Sequence, residues 1–190
     1  MNLQTVPLNI RALQPNFVPN FAEPLELMVH CHEKITWQLE NLLSAGEMLA
    51  SEDKLIEAFF LIDRAAAHLR IAGVKHTADE ENSLFPRLRE CKDAVAREVL
   101  SAMDELEAEH EKAQKIELEL YELIAFLPRK ILAEKEEFEK FNELAVKLNE
   151  LYLPHIKLEN ELVFPVAAKI LSFAELQEIG NEMRSRRFLV

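Results

Sequence analysis

The chain has 190 residues, of which 49% are hydrophobic and 29% are charged, a composition typical of a globular domain with a sizeable core. Only three glycines occur, which nearly excludes an all-β fold, since such folds need turn glycines, and also a glycine-rich phosphate-binding loop. The formal charge of −12 argues against nucleic acid or an anionic membrane as a partner.

The first 24 residues differ from the rest of the chain. This stretch holds four of the eight prolines and almost no charged residues. Proline-rich sequence without a helical period favours extended structure. We therefore predict an extended N-terminal arm over residues 1–24, followed by one helical domain over residues 25–190.

Four stretches of the domain carry apolar side chains at every third or fourth position and predict four long amphipathic helices. The stripes run from Leu25 to Leu42, from Leu55 to Glu80, from Val99 to Ala113 and from Leu144 to Leu162. Breaks fall near Ser51, near the Pro86–Lys92 segment and near Pro128, and a shorter helix is predicted over about Phe173–Arg186. Pro154 predicts a bend or a helix restart. Long helices with short connections favour an all-α, up-down-up-down four-helix bundle with a short C-terminal helix.

Polar side chains interrupt these apolar stripes in a regular way. Each stripe carries one histidine, and in two stripes a glutamate follows the histidine by four residues, on the same helix face. Buried carboxylates without a partner cost several kcal/mol, so two of them in one interior require a compensating cation. The candidate metal ligands are His32, His76, Glu80, His110, His155 and Glu159.

The candidate ligands also form an internal repeat. His32-Glu33-Lys34 matches His110-Glu111-Lys112, and the segment from His76 to Pro86 matches the segment from His155 to Pro165, including the Phe-Pro pair at its end. Two half-sites of two imidazoles and one carboxylate are typical of a site for two metal ions. Such ligands suit iron, manganese or zinc, and two carboxylates that can bridge favour a di-iron or di-manganese centre.

The combination of two His-x-x-x-Glu segments ending in Phe-Pro with two upstream His-Glu-Lys segments resembles the hemerythrin-like family, in its HHE cation-binding branch, over about residues 25–167. The resemblance implies a four-helix bundle with a non-haem di-iron centre that interacts with O2, NO or peroxide. It implies that Glu80 and Glu159 bridge the irons. His32 and His76 would then be terminal ligands of one iron, and His110 and His155 of the other.

The sequence departs from the oxygen-carrying members of that family. These carry a further histidine four residues after one ligand, where this chain has Gln114 after His110. Simple reversible oxygen carriage is therefore disfavoured, and the chain looks more like iron-sensing or iron-centre-repair relatives. The predicted function is a non-haem di-iron protein that binds or senses O2, NO or peroxide. An iron-handling module and a di-iron peroxidase or NO-detoxifying enzyme remain as alternatives.

Several further features stay open at this stage. His30 points away from the stripe that contains His32, but whether His30 or a glutamate next to a ligand also binds metal is not decided. Two cysteines make no disulfide framework, and no leader or membrane span is recognised, so we expect a cytoplasmic protein. A signalling partner and a homodimer are both compatible with the sequence. The basic run Arg184–Arg187 is interpreted as a solvated helix end.

Overall fold

The computed structural model describes residues 20–49, 51–127 and 135–188, and within these ranges the regular structure is helical, without a strand. A 3₁₀ turn is formed at Glu52–Lys54, and two of the helices are composite. The described residues form five helices, of which three are simple: α1 (Pro24–Met48), α3 (Arg97–Phe126) and α5 (Phe173–Phe188). The composite helix α2 consists of Leu55–His68, Val74–Asp79 and Phe85–Glu90, joined by π-helical turns at Leu69–Gly73 and Glu80–Leu84. The composite helix α4 consists of Lys135–Leu158 and Phe164–Ile170, joined by a π-helical turn at Glu159–Val163.

The all-α prediction and the order of the helices are confirmed, whereas the up-down topology stays a prediction. Most of the predicted arm, residues 1–19, lies outside the described residues. Pro24, the last residue of that arm, is the first residue of α1. Proline is well placed there because the first N–H groups of a helix have no partner within the helix.

Asn20 stabilises the turn that precedes α1. Its side-chain Oδ1 accepts a hydrogen bond of 2.8 Å from the Ala22 N–H, and its backbone carbonyl accepts one of 2.9 Å from the Glu23 N–H. The first helical bond runs from the Leu27 N–H to the Glu23 carbonyl, at 2.9 Å. The chain therefore enters α1 through a tight turn.

Pro86 and Pro154 both lie within helices, whereas α3 ends at Phe126, near Pro128, as predicted. Phe85 and Pro86 continue α2 to Glu90, because Pro86 lies in the first turn of the final segment. Pro154 lies inside Lys135–Leu158, so the helix restart considered above is wrong. None of the described helices combines the length and the apolar character that a membrane span requires.

The chain divides into two compact units, and α1 to α4 each contribute residues to both. Of the described residues, the first unit takes those within Met1–His32, Val74–Glu107 and His155–Val190, and the second takes those within Glu33–Gly73 and Ala108–Pro154. In the first unit, a core of buried apolar side chains includes Met28, Phe85, Met103, Phe164 and Met183, and α5 belongs to this unit.

The second unit has a buried polar contact of its own. The Tyr152 hydroxyl donates a hydrogen bond of 2.9 Å to Glu117 Oε1, and Glu117 is almost fully buried. Burial raises the pKa of Glu117 above its ordinary value, and the hydrogen bonds from Tyr152 and Tyr121 oppose this shift.

The interpretation of Arg184–Arg187 as a solvated helix end is wrong for two of its residues. The Arg186 and Arg187 guanidinium groups form ion pairs with Asp79, whose side chain is fully buried. The sequence did not reveal this pairing because Asp79 is distant in the chain and carries no periodic signal of its own.

Candidate metal centre

Two π-helical turns begin at Glu80 and Glu159, the two glutamates of the internal repeat. In the first turn the Phe85 N–H bonds to the Glu80 carbonyl, and in the second the Phe164 N–H bonds to the Glu159 carbonyl, five residues back in each case. A proline follows each phenylalanine and lacks the N–H that would continue the α-helical pattern. The widened turns therefore fall where a helical bond is already lost, and such turns are frequent at functional sites.

All six candidate ligands are buried, as the stripes predicted. The relative exposure is 0% for both glutamates and at most 8% for the histidines. The buried polar residues in question are His32, His76, Glu80, His110, His155 and Glu159.

Five of these six side chains come together within the first unit. His32 Nε2 lies 3.1 Å from Glu159 Oε2 and 3.6 Å from Glu80 Oε1. His76 Nε2 lies 3.2 Å from Glu80 Oε1, and His155 Nε2 lies 3.4 Å from Glu159 Oε2. Each glutamate is therefore contacted by the histidine four residues before it, and His32 contacts both glutamates.

The sixth residue, His110, belongs to the second unit, where it is buried. Its role as a ligand stays a prediction. His30 is only half-buried, and it is His32 that makes the two carboxylate contacts.

The orientation of the His32 ring is set by Asn160. His32 Nδ1 lies 2.8 Å from Asn160 Oδ1, so Nδ1–H donates to this amide oxygen in the neutral ring and Nε2 carries the lone pair. The ring also stacks on Phe164, with centroids 5.3 Å apart, and meets the His76 ring edge to face at 4.5 Å. Asn160 is not among the residues predicted from the sequence; the available signal was that it replaces Glu81 of the other repeat.

In the neutral ring, the lone pair of His32 Nε2 faces carboxylate oxygens, which are also acceptors. Among the described residues, no hydrogen-bond partner is found for His32 Nε2 in the neutral ring or for either oxygen of Glu159, although all three atoms are buried. Acceptors that face one another in an interior repel unless a proton or a cation lies between them. One donor atom from each of His32, His76, Glu80 and Glu159 lies within 4.8 Å of the others, so this set fits a metal ion.

The pKa values of the buried glutamates and of His32 are shifted because negative charge is concentrated in this cluster. Burial, together with the charge of Glu159, raises the pKa of Glu80 to about 8. Burial lowers the pKa of His32, but the contacts with Glu159 and Glu80 outweigh it and raise the pKa to about 10. For Glu159, burial is outweighed by His155 and His32, which hold its pKa well below the ordinary range. Protons thus neutralise part of the charge in the absence of a metal.

Two comparisons with known proteins show what this chain is similar to. The sequence model of the family described as "Hemerythrin HHE cation binding domain" matches residues 23–167, which confirms the resemblance inferred from the motifs. A protein of Haemophilus influenzae described as "Uncharacterized protein" is 26% identical over 182 residues, which cover 94% of this chain and 98% of the relative.

Proposed function

Because the chain belongs to the hemerythrin HHE cation-binding family, we propose that it holds a dinuclear non-haem iron centre and uses it to bind or sense O2, NO or peroxide. The observation that carries this proposal is a set of buried imidazole and carboxylate groups. Their nitrogen and oxygen atoms, which accept hydrogen bonds, face one another. A divalent cation would convert this repulsion into attraction. Carboxylate and imidazole ligands suit iron, with manganese and zinc as the alternatives.

The proposed ligands form two half-sites that follow the internal repeat. His32 and His76 would bind one ion, and His110 and His155 would bind the other. Glu80 and Glu159 would bridge the two ions. The contact of His32 with both carboxylates supports a shared site, since bridging requires the two glutamates to approach the same ions.

The centre, when bound, would supply coordination positions for a small diatomic ligand or peroxide and electrons for its reduction. Six protein donors do not fill the coordination of two such ions. The residues of the chain would hold the ions, orient the imidazoles and exclude water. Asn160 would keep His32 Nε2 unprotonated for the metal, and Phe164 would cover one face of the His32 ring.

The test is metal analysis of protein purified without oxygen, followed by absorption spectra before and after exposure to air or NO. We expect two irons per chain and a charge-transfer band that changes on exposure. Glu80→Ala and Glu159→Ala should each lose iron. Glu161→Ala is the matched control, because Glu161 lies in the same π-helical turn as Glu159 but is exposed, and it should keep the iron.

Full iron in both glutamate variants would contradict the bridging assignment. Loss of iron from the wild type to a weak chelator, with no spectral response to O2 or NO, would instead favour the iron-handling alternative. Metal-dependent turnover of peroxide or NO would favour the enzymatic alternative.

A further inference from the structure

We propose that the last turn of α5 is a clamp that positions the ligands His32 and Glu80, and that Asp79, Arg186 and Arg187 are its positioning residues. This inference rests on the proposed function, because it concerns the same metal centre. It adds a role for residues that lie outside the His-x-x-x-Glu repeat and bind no metal themselves.

The clamp is built on a buried carboxylate. Asp79 has 0% exposure, its Oδ1 accepts a hydrogen bond of 2.8 Å from Arg186 Nη1, and its Oδ2 accepts one of 2.6 Å from Arg187 Nη2. Both oxygens are thus held by charged donors, and hydrogen bonds of this kind are the strong ones in proteins. Asp79 directly precedes Glu80, so its position fixes the start of the π-helical turn that carries this ligand.

The same arginines reach two further points beside the ligands. Arg186 Nη2 donates a hydrogen bond of 2.6 Å to Ser83 Oγ, inside the π-helical turn Glu80–Leu84. Burial lowers the pKa of Arg187, but Asp79 and, to a lesser extent, the side chain of Cys31, the residue before His32, raise it. Cys31 therefore lies close to Arg187. One pair of side chains from α5 is therefore hydrogen-bonded beside one ligand on α2 and lies near the residue that precedes another ligand on α1.

The internal repeat shows that the π-helical turn does not need this charge to form. The residues that match Asp79 and Ser83 in the other half are Leu158 and Leu162, and Glu159 still begins a π-helical turn there. An apolar residue at this position therefore suffices for the π-helical turn, and it avoids the free-energy cost of desolvating a buried ion pair. The ion pairs of Asp79 with Arg186 and Arg187 therefore connect this turn to α5, and this connection fixes the positions of Glu80 and His32.

The test measures the affinity of the folded protein for Fe(II) without oxygen, by competition with a coloured chelator. Arg187→Ala and Asp79→Asn should each weaken affinity at least tenfold and change the absorption spectrum of the loaded protein. Arg187→Lys, which keeps the charge but loses the planar fork, should give an intermediate loss and serves if the other variants do not fold.

The matched control is Ile179→Ala. Ile179 is a fully buried residue of α5 in the core of the first unit, so the variant weakens the packing of the same helix without touching Asp79. We expect its affinity to stay within about threefold of the wild type while its unfolding midpoint falls.

The possible outcomes distinguish a failure of the proposed clamp from a failure of the proposed function. If the clamp variants bind Fe(II) as well as Ile179→Ala does, the clamp is overturned and the proposed function stands. If the wild type binds no metal, both are overturned. A selective loss of affinity in the clamp variants, with circular dichroism unchanged, supports the clamp.

Discussion

A single hydrogen bond decides which nitrogen of His32 faces the two glutamates. The ring is symmetric enough that either nitrogen can carry the proton, and Asn160 Oδ1 selects Nδ1. Supporting residues of this kind orient metal-binding imidazoles and raise their basicity. Asn160 is thus part of the candidate site although it offers no donor to the metal.

Replacing Asn160 by alanine should weaken metal affinity by about 10- to 100-fold, because the His32 ring loses the acceptor that fixes its proton. Asn160→Asp keeps an acceptor at the same place and should retain most of the affinity. Chelator competition with Fe(II) measures both variants. Equal affinity of Asn160→Ala and the wild type would show that the ring is held by its contacts with Phe164 and His76 alone.

The pKa shifts predict that metal-free protein loses stability as the pH rises from 6.5 to 9.5. The folded pKa of Glu80, about 8, lies above its ordinary value of 4.5, and that of His32, about 10, lies above 6.5. Each group therefore holds a proton in the folded state that the unfolded chain has released, so its stabilising effect disappears as the pH passes the folded pKa. Glu159 has a lowered pKa, and its effect is lost only on the acid side of 4.5.

Urea unfolding of chelator-treated protein at several pH values checks this expectation. Glu80→Gln cannot release the proton and should flatten the dependence below pH 8, which makes it the control. A free energy of unfolding that rises between pH 6.5 and 9.5 would contradict the sign of the shifts.

At the scale of the helices, close packing on α5 depends on the absence of a side chain at Gly180. A Cβ added there would clash with the backbone carbonyl oxygen of Phe21, in the turn before α1. Phe21 also packs edge to face against Phe188, with centroids 6.1 Å apart, and lies under the guanidinium of Arg184. α5 therefore packs closely against the turn that precedes α1.

Gly180→Ala should destabilise the protein by about 1–3 kcal/mol, because backbone cannot move aside as easily as a flexible side chain. Gly73→Ala is the comparison, since a Cβ at this helical position meets nothing within 4 Å. It should be neutral or stabilising by up to about 1 kcal/mol, the difference in helix propensity. Urea unfolding measures both, and equal effects of the two substitutions would contradict the close approach of Phe21.

At the scale of the whole chain, the donors of the first unit come from three distant stretches, around His32, from His76 to Glu80, and from His155 to Glu159. An unfolded chain cannot bring these stretches together at low cost. Metal bound to the folded state alone therefore adds to the free energy of unfolding, by about 2.7 kcal/mol when its concentration is 100 times the dissociation constant.

Fe(II) added without oxygen should accordingly raise the thermal unfolding midpoint, and a chelator should reverse the rise. Glu159→Ala should show no rise, because it removes a donor that contacts both His32 and His155. Ca²⁺, which prefers oxygen ligands, should have a much smaller effect than Fe(II). An equal rise with both ions would point to unspecific binding by the acidic surface.

Local patterns were sufficient to predict the helices and the burial of the candidate ligands. The helical period belongs to one segment at a time, so stripes of apolar residues showed where α1 to α4 run and that the histidines face inward. The repeat also marked Glu80 and Glu159 as equivalent, and the π-helical turns bear this equivalence out. The topology of the helices and the part played by His110 remain predictions.

Partners that lie far apart along the chain became visible only once it was folded. Asn160 and His32 are 128 residues apart, and Arg187 and Asp79 are 108 residues apart. A hydrogen bond of this range depends on where two helices meet and on a rotamer at each end, and neither leaves a periodic trace in the order of residues. The amino-acid pattern thus specified which groups are buried, whereas folding in three dimensions specified what each of them touches.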